Sequence, residues 1–104
     1  FLNRACDGCD FVIHAAAQTP GIVNDEKVFH AVNVTGTSNL LRASVKQNVK
    51  RLIYVSTANT VGYGNKDKPG DERGPIKVPF IWSAYANSKL KAEELVRSYK
   101  DRME

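Results

Sequence analysis

A chain of 104 residues holds one domain at most, and it is shorter than most nucleotide-binding α/β domains, which run to about 150 residues or more. With 42% hydrophobic and 25% charged residues it has the balance of a globular protein, and no apolar run approaches the ~20 residues of a membrane span, so a cytoplasmic location is expected. The net charge of +4 comes from fifteen Lys and Arg interleaved with eleven acids. No basic block forms, which argues against a nucleic-acid partner.

The opening "FLNRACDGCD" lacks Met and any signal-peptide pattern, so it reads as the interior of a longer frame. Residues 1 to 6 suggest the end of a helix, and Asp7-Gly8 a turn. Cys6 and Cys9 form a CxxC. A zinc site needs two further ligands, and the two histidines, His14 and His30, lack the usual paired spacing. A redox CxxC follows a strand and opens a helix, whereas this one precedes a strand. Two reduced thiols at a turn, and no metal, are the expectation.

"FVIHAAA" is a compact apolar run that predicts a strand from Phe11 to about Ala16, buried on both faces as in a parallel sheet. Pro20, Gly21 and Asn24 or Asp25 punctuate the chain before a helix over 25 to 48, marked by Val28, Val32, Gly36, Leu40 and Ser44 or Val45 at helical spacing. Gly36 in mid-helix suggests close approach to a neighbouring backbone. "KRLIYVS", 50 to 56, reads as a second buried strand. Strand, crossover helix and strand make a right-handed βαβ unit with parallel strands, and the fold class is α/β.

Residues 58 to 84 carry four glycines and three prolines among charges, a length at which loops are usually functional or disordered. A final helix is expected from about Ser83 to Arg102, with Lys89 and Glu93 four apart. Ligands of open parallel sheets bind beyond the carboxyl ends of the strands, where Ala15-Ala16-Ala17 and Ser56-Thr57 should share one edge. Small side chains there admit a flat ligand. Tyr85 and Lys89, also four apart, project from one helix face, where an ammonium would bring the phenol pKa closer to the acid–base range.

Four ordered segments carry a resemblance: "GCDFVIHAAA", "NVTGTSNLLRAS", "VKRLIYVSTANTVG" and "YANSKLKAEELV". Together they resemble the extended branch of the short-chain dehydrogenase/reductase superfamily, which includes NAD(P)-dependent epimerases, dehydratases, dihydroflavonol reductases and 3β-hydroxysteroid dehydrogenases. The resemblance implies part of a Rossmann-like doubly wound sheet, over 1 to 104, that lacks the N-terminal glycine-rich βαβ and is inactive alone.

It further implies NAD or NADP as cofactor and a small-molecule substrate. Tyr85 is implied as the acid/base and Lys89 as the residue that holds the nicotinamide ribose and lowers the phenol pKa. Thr57, or Ser56 if the assignment slips by one, is implied as the hydroxyl on the substrate oxygen. Ala15, Ala16 and Ala17 would line the cofactor and Asn33 would support its pocket. With the family's first strand absent, the Phe11 strand should present an apolar edge, making a homo-oligomer or strand swap the expectation. A non-catalytic dinucleotide-binding module and a bare α/β scaffold are the alternative readings.

Overall fold

A computed structural model describes residues 1–103. Helix α1 (Leu2–Cys6) is followed by strand β1 (Phe11–His14), then α2 (Glu26–Phe29), a π-helical stretch (His30–Thr35) and α3 (Gly36–Lys46), which run on as one crossover. Strand β2 (Arg51–Tyr54), two 3-10 turns (Ala58–Thr60 and Phe80–Trp82) and α4 (Ala84–Arg97) complete the order. The two strands are parallel and in register, with Phe11 opposite Arg51 and His14 opposite Tyr54, as the βαβ pattern predicts.

Local chemistry sets the ends of these elements. Asp25 caps α2 by accepting from the Lys27 N–H at 2.8 Å, and Ser83 caps α4 by accepting from Ala86. After α3 the chain reverses through Asn48 at φ 57, a left-handed conformation that asparagine tolerates, and Val49 N–H closes back on the Ser44 carbonyl at 3.0 Å. The strand starts are joined by Lys50 N–H to the Asp10 carbonyl at 2.9 Å. The exposed Lys50–Asp10 ion pair beside it adds little stability.

One sheet face packs on α1, α3 and α4 around Cys6, Leu41, Ala43, Val49, Leu52 and Met103. Leu41 is 1% exposed at the centre of that core. Leu41→Ala should therefore destabilise the protein by about 2–5 kcal/mol in urea unfolding, through lost transfer energy plus a cavity.

The other sheet face departs from expectation. Phe11 and Ile13 are 63% and 69% exposed and Ile53 and Val55 are also exposed, so the strands are buried on one face rather than two. Among the described residues no layer covers that side and β1 has no partner on its outer edge. Strand β1 also ends at His14, two residues early, because its last ladder bond is Val55 N–H to the His14 carbonyl and β2 offers the alanines nothing further.

Two other expectations are corrected, and the long loop shows an order of its own. A Cβ on Gly36 would meet only the Ala31 carbonyl oxygen, at 3.8 Å, so no neighbouring segment explains that glycine among the described residues. Helix α4 ends at Arg97, five residues before Arg102, and passes into turns through Tyr99, whose carbonyl accepts from Arg102 N–H. Finally, the long loop is closed by its own backbone: Gly62 N–H donates to the Gly74 carbonyl at 3.0 Å, and a Cβ at Gly64 or Gly70 would lie 2.0 Å or 2.3 Å from a carbonyl oxygen of the crossing strand of loop. Only glycine permits that crossing.

Candidate active site

Parallel pairing puts the carboxyl ends of both strands on one edge, and the side chains there are tied together across elements. Ala15 and Ala16 are exposed at that edge and Ala17 is half-buried. Next in the chain, Gln18 is held by a side chain from the crossover: Asn33 Oδ1 accepts from Gln18 N–H at 2.8 Å and Asn33 Nδ2 donates to the Gln18 carbonyl at 3.0 Å. The other Nδ2 proton goes to Ser88 Oγ at 2.9 Å, and Ser88 donates to the Tyr85 carbonyl. Asn33 is 1% exposed, so its amide is spent on positioning the alanine loop and α4.

The chain of contacts continues to β1. The Thr37 hydroxyl donates to the Asn33 carbonyl at 2.6 Å, within the stretch where the crossover is π-helical and Gly36 N–H bonds back to Ala31. His14 Nε2 lies 2.8 Å from the same hydroxyl oxygen. Because the hydroxyl proton is already given to Asn33, His14 Nε2–H is the donor.

Burial, with the positive charge of Lys89 as a second cause, holds the His14 pKa below its ordinary 6.5. The unfolded chain takes a proton at about 6.5 while the folded one resists it, so His14 favours the fold above that pH and loses this contribution as pH falls below it. Urea unfolding should find the protein weaker at pH 5.5 than at 7.5 by a margin that shrinks in His14→Gln, an uncharged donor to Thr37.

Tyr85 and Lys89 stand one turn apart on α4. The Tyr85 ring meets Phe29 edge-on, 5.9 Å between centroids, and Lys89 is 2% exposed. Its Nζ donates to the Val55 carbonyl at 2.8 Å and lies 4.3 Å from the Tyr54 ring centroid, a cation–π contact. Burial lowers the Lys89 pKa, partly offset by the Glu93 carboxylate. Tyr54, whose buried hydroxyl has no hydrogen-bond partner among the described residues, is pushed up to about 12 by burial and then by the nearby Glu93 and Tyr85. A phenol at that value stays protonated near neutrality and is unsuited to proton transfer.

Past β2, Thr57 caps the first 3-10 turn and its Oγ1 accepts from Asn59 N–H at 3.4 Å. The Ser56 hydroxyl donates to Glu93 Oε1. Glu93 thus turns to the loop and, through an ion pair at 3.5 Å, to Arg97, while Lys89 turns to Val55. The expected contact between Lys89 and Glu93 is only electrostatic, because both side chains face inward partners. His14, Tyr54 and Ser88 are the members of this edge that residue spacing does not single out, and spacing marks Glu93 only as the helical neighbour of Lys89. Cys6 lies away in the core, its Sγ 3.8 Å from Ser44 Oγ, and Cys9 donates to the Ala5 carbonyl.

The parallel α/β unit just described belongs to a known class of fold, which comparisons with known proteins identify. The profile of the 3-beta hydroxysteroid dehydrogenase/isomerase family matches residues 1–103, and the chain belongs to that family. It is 36% identical over 96 residues to a 4-hydroxy-2-methyl-3-oxo-4-farnesyl-3,4-dihydroquinoline-1-oxide ketoreductase of Stigmatella aurantiaca, covering 91% of this chain and 28% of that one. It is 42% identical over 92 residues to the human dTDP-D-glucose 4,6-dehydratase, covering 86% and 25%.

Among solved structures, the dTDP-glucose 4,6-dehydratase double mutant from Streptomyces venezuelae, with NAD bound, superposes with a TM-score of 0.82 at 30% identity, over 96% of this chain and 30% of that one. The chain therefore spans between a quarter and a third of the length of these relatives. No helix among the described residues is long and apolar enough to cross a membrane.

Proposed function

We propose that this chain carries the proton-transfer part of an NAD(P)-dependent oxidoreductase or epimerase that moves hydride to or from a carbonyl or hydroxyl carbon of a small molecule. The observation that carries the reading is Lys89, an almost fully buried ammonium that the fold keeps at the carboxyl edge of the sheet, one turn from Tyr85. Burying a charge is costly unless it is paired and hydrogen-bonded, and one carbonyl and one ring leave further N–H donors of the ammonium for a ligand.

That donor set, with the exposed small residues Ala15 and Ala16, fits the ribose hydroxyls and flat ring of a dinucleotide. When bound, its nicotinamide supplies or accepts the hydride. Tyr85 Oη gives a proton to the substrate oxygen, or takes one in reverse, Lys89 stabilises the phenolate form and holds the ribose, and Thr57 Oγ1 donates to the substrate oxygen. Ala15, Ala16, Ala17 and Ser56 border the cofactor. Asn33 holds that border in place through Gln18.

The relatives act on compounds that range from nucleotide sugars to a farnesylated quinoline, and the named reactions share a secondary alcohol or ketone. A hydroxylated ring compound is the substrate class they favour. The outer edge of β1 would pair with more of the complete protein or with a second copy. To test the function, the complete protein is mixed with NAD or NADP and a panel of hydroxysteroids and nucleoside-diphosphate sugars, and net or transient formation of the reduced nicotinamide is followed. Saturable reduction with one panel member supports the reading. Absence of binding by either nicotinamide refutes it.

A further inference from the structure

Thr57 is flanked on both sides by hydroxyls that point to one carboxylate. Glu93 Oε1 accepts from Ser56 Oγ on one side and lies 2.6 Å from Thr60 Oγ1 on the other. Thr60 Oγ1 is also 2.8 Å from the Thr57 carbonyl, so its single proton bridges the carboxylate and the Thr57 backbone. Thr60 is 3% exposed and the Glu93 side chain 13%, which removes the bland explanation of a solvating acid on an exposed helix face. Glu93 lies one turn beyond Lys89 and two beyond Tyr85 on the same helix. A hydroxyl-to-carboxylate bond is about twice as strong as a neutral one, and here two converge on one oxygen.

We propose that Glu93 is a positioning residue: its carboxylate clamps Ser56 and Thr60 so that the Thr57 hydroxyl is held at a fixed place relative to the Tyr85 phenol. The proposal rests on the hydride-transfer reading for its functional consequence, but the clamp itself is a property of the protein without cofactor. Helix α4 thereby presents the acid/base, the ammonium and the anchor of the substrate-facing loop as one rigid unit. Loss of the anchor frees the 3-10 turn Ala58–Thr60, whose backbone is otherwise held by Thr60 N–H to Thr57 and Val61 N–H to Ala58, both at 3.3 Å. Those two bonds are long, so the carboxylate is the stronger tie.

The test uses the complete protein and the variants Glu93→Ala, Glu93→Gln, Thr57→Val and the double variant Glu93→Ala/Thr57→Val. Without cofactor, amide hydrogen exchange at Thr60 and Val61 should speed about tenfold in Glu93→Ala, as one charge-assisted bond predicts, while amides in the middle of α4 stay unchanged. Glu93→Gln keeps an acceptor for both hydroxyls and should restore most of the protection.

Turnover should fall about 100-fold in Glu93→Ala, the cost of roughly 1 Å of misplacement, yet by no more than about threefold when Thr57 is already valine, because both changes remove the same hydroxyl from play. Unchanged exchange in Glu93→Ala, or losses that multiply in the double variant, would overturn the clamp. If Glu93→Ala does not fold, Ser56→Ala opens one arm and must speed the same two amides; equal protection there also overturns it. Turnover that survives in Tyr85→Phe refutes the hydride-transfer reading and leaves the exchange result standing, so the two failures are distinct.

Discussion

Tyr85→Phe in the complete protein should lower turnover by about 10²- to 10⁴-fold, the range expected when a general acid or base is removed, with nicotinamide affinity within about threefold of the parent. The substitution is clean for a structural reason. The Tyr85 ring packs edge-on against Phe29, a contact that phenylalanine keeps, and α4 is begun by the Ser83 cap rather than by the phenol. The thermal midpoint should therefore move little. Turnover that survives removes Tyr85 from the proton-transfer role, and Tyr54 is a poor substitute because its hydroxyl is buried and pushed up to about 12.

Lys89→Met has the second large effect, and it separates function from stability. Burial lowers the Lys89 pKa, which means that the folded protein disfavours the ammonium relative to the unfolded chain. Methionine fills a similar volume without that charge and still lies against the Tyr54 ring. Resistance to urea near neutral pH should be equal to the parent's or higher. Affinity for reduced nicotinamide should fall by about 10- to 100-fold, the value of one charge-assisted hydrogen bond to a ribose hydroxyl, as read by nicotinamide fluorescence in a titration. Loss of stability with affinity intact would make Lys89 a structural cation held for Val55 and Tyr54.

Much of this arrangement is legible in the sequence because it depends on local pattern. The apolar runs at 11 and 51, separated by a crossover of helical period, force parallel strands, and parallel strands bring Ala15 and Thr57 to the same edge. The family follows from the order of four short motifs, each weak alone. What the pattern did not contain is the direction in which side chains turn once packed.

Helical spacing sets Glu93 four residues from Lys89, but Lys89 reaches the Val55 carbonyl and Glu93 reaches the serine loop, contacts 34 and 37 residues away in sequence. His14 looked like a strand residue without a task, and its place depends on a hydroxyl 23 residues later. The apolar composition of the strand run is suited to burial on both faces. Phe11 and Ile13 are exposed because, among the described residues, only one face has helices to cover it.

In the function proposed here, hydride passes between a bound nicotinamide and the substrate carbon at the edge shared by Thr57, Tyr85 and Lys89, and the proton passes through Tyr85. The measurement that tests this is a single turnover of the complete protein with reduced nicotinamide deuterated at the transferring carbon and the ketone that corresponds to the panel alcohol it oxidises. Deuterium should appear on the carbinol carbon of the product, and almost none in the same interval with Tyr85→Phe. Label transferred at equal rates by both proteins, or by neither, would contradict it.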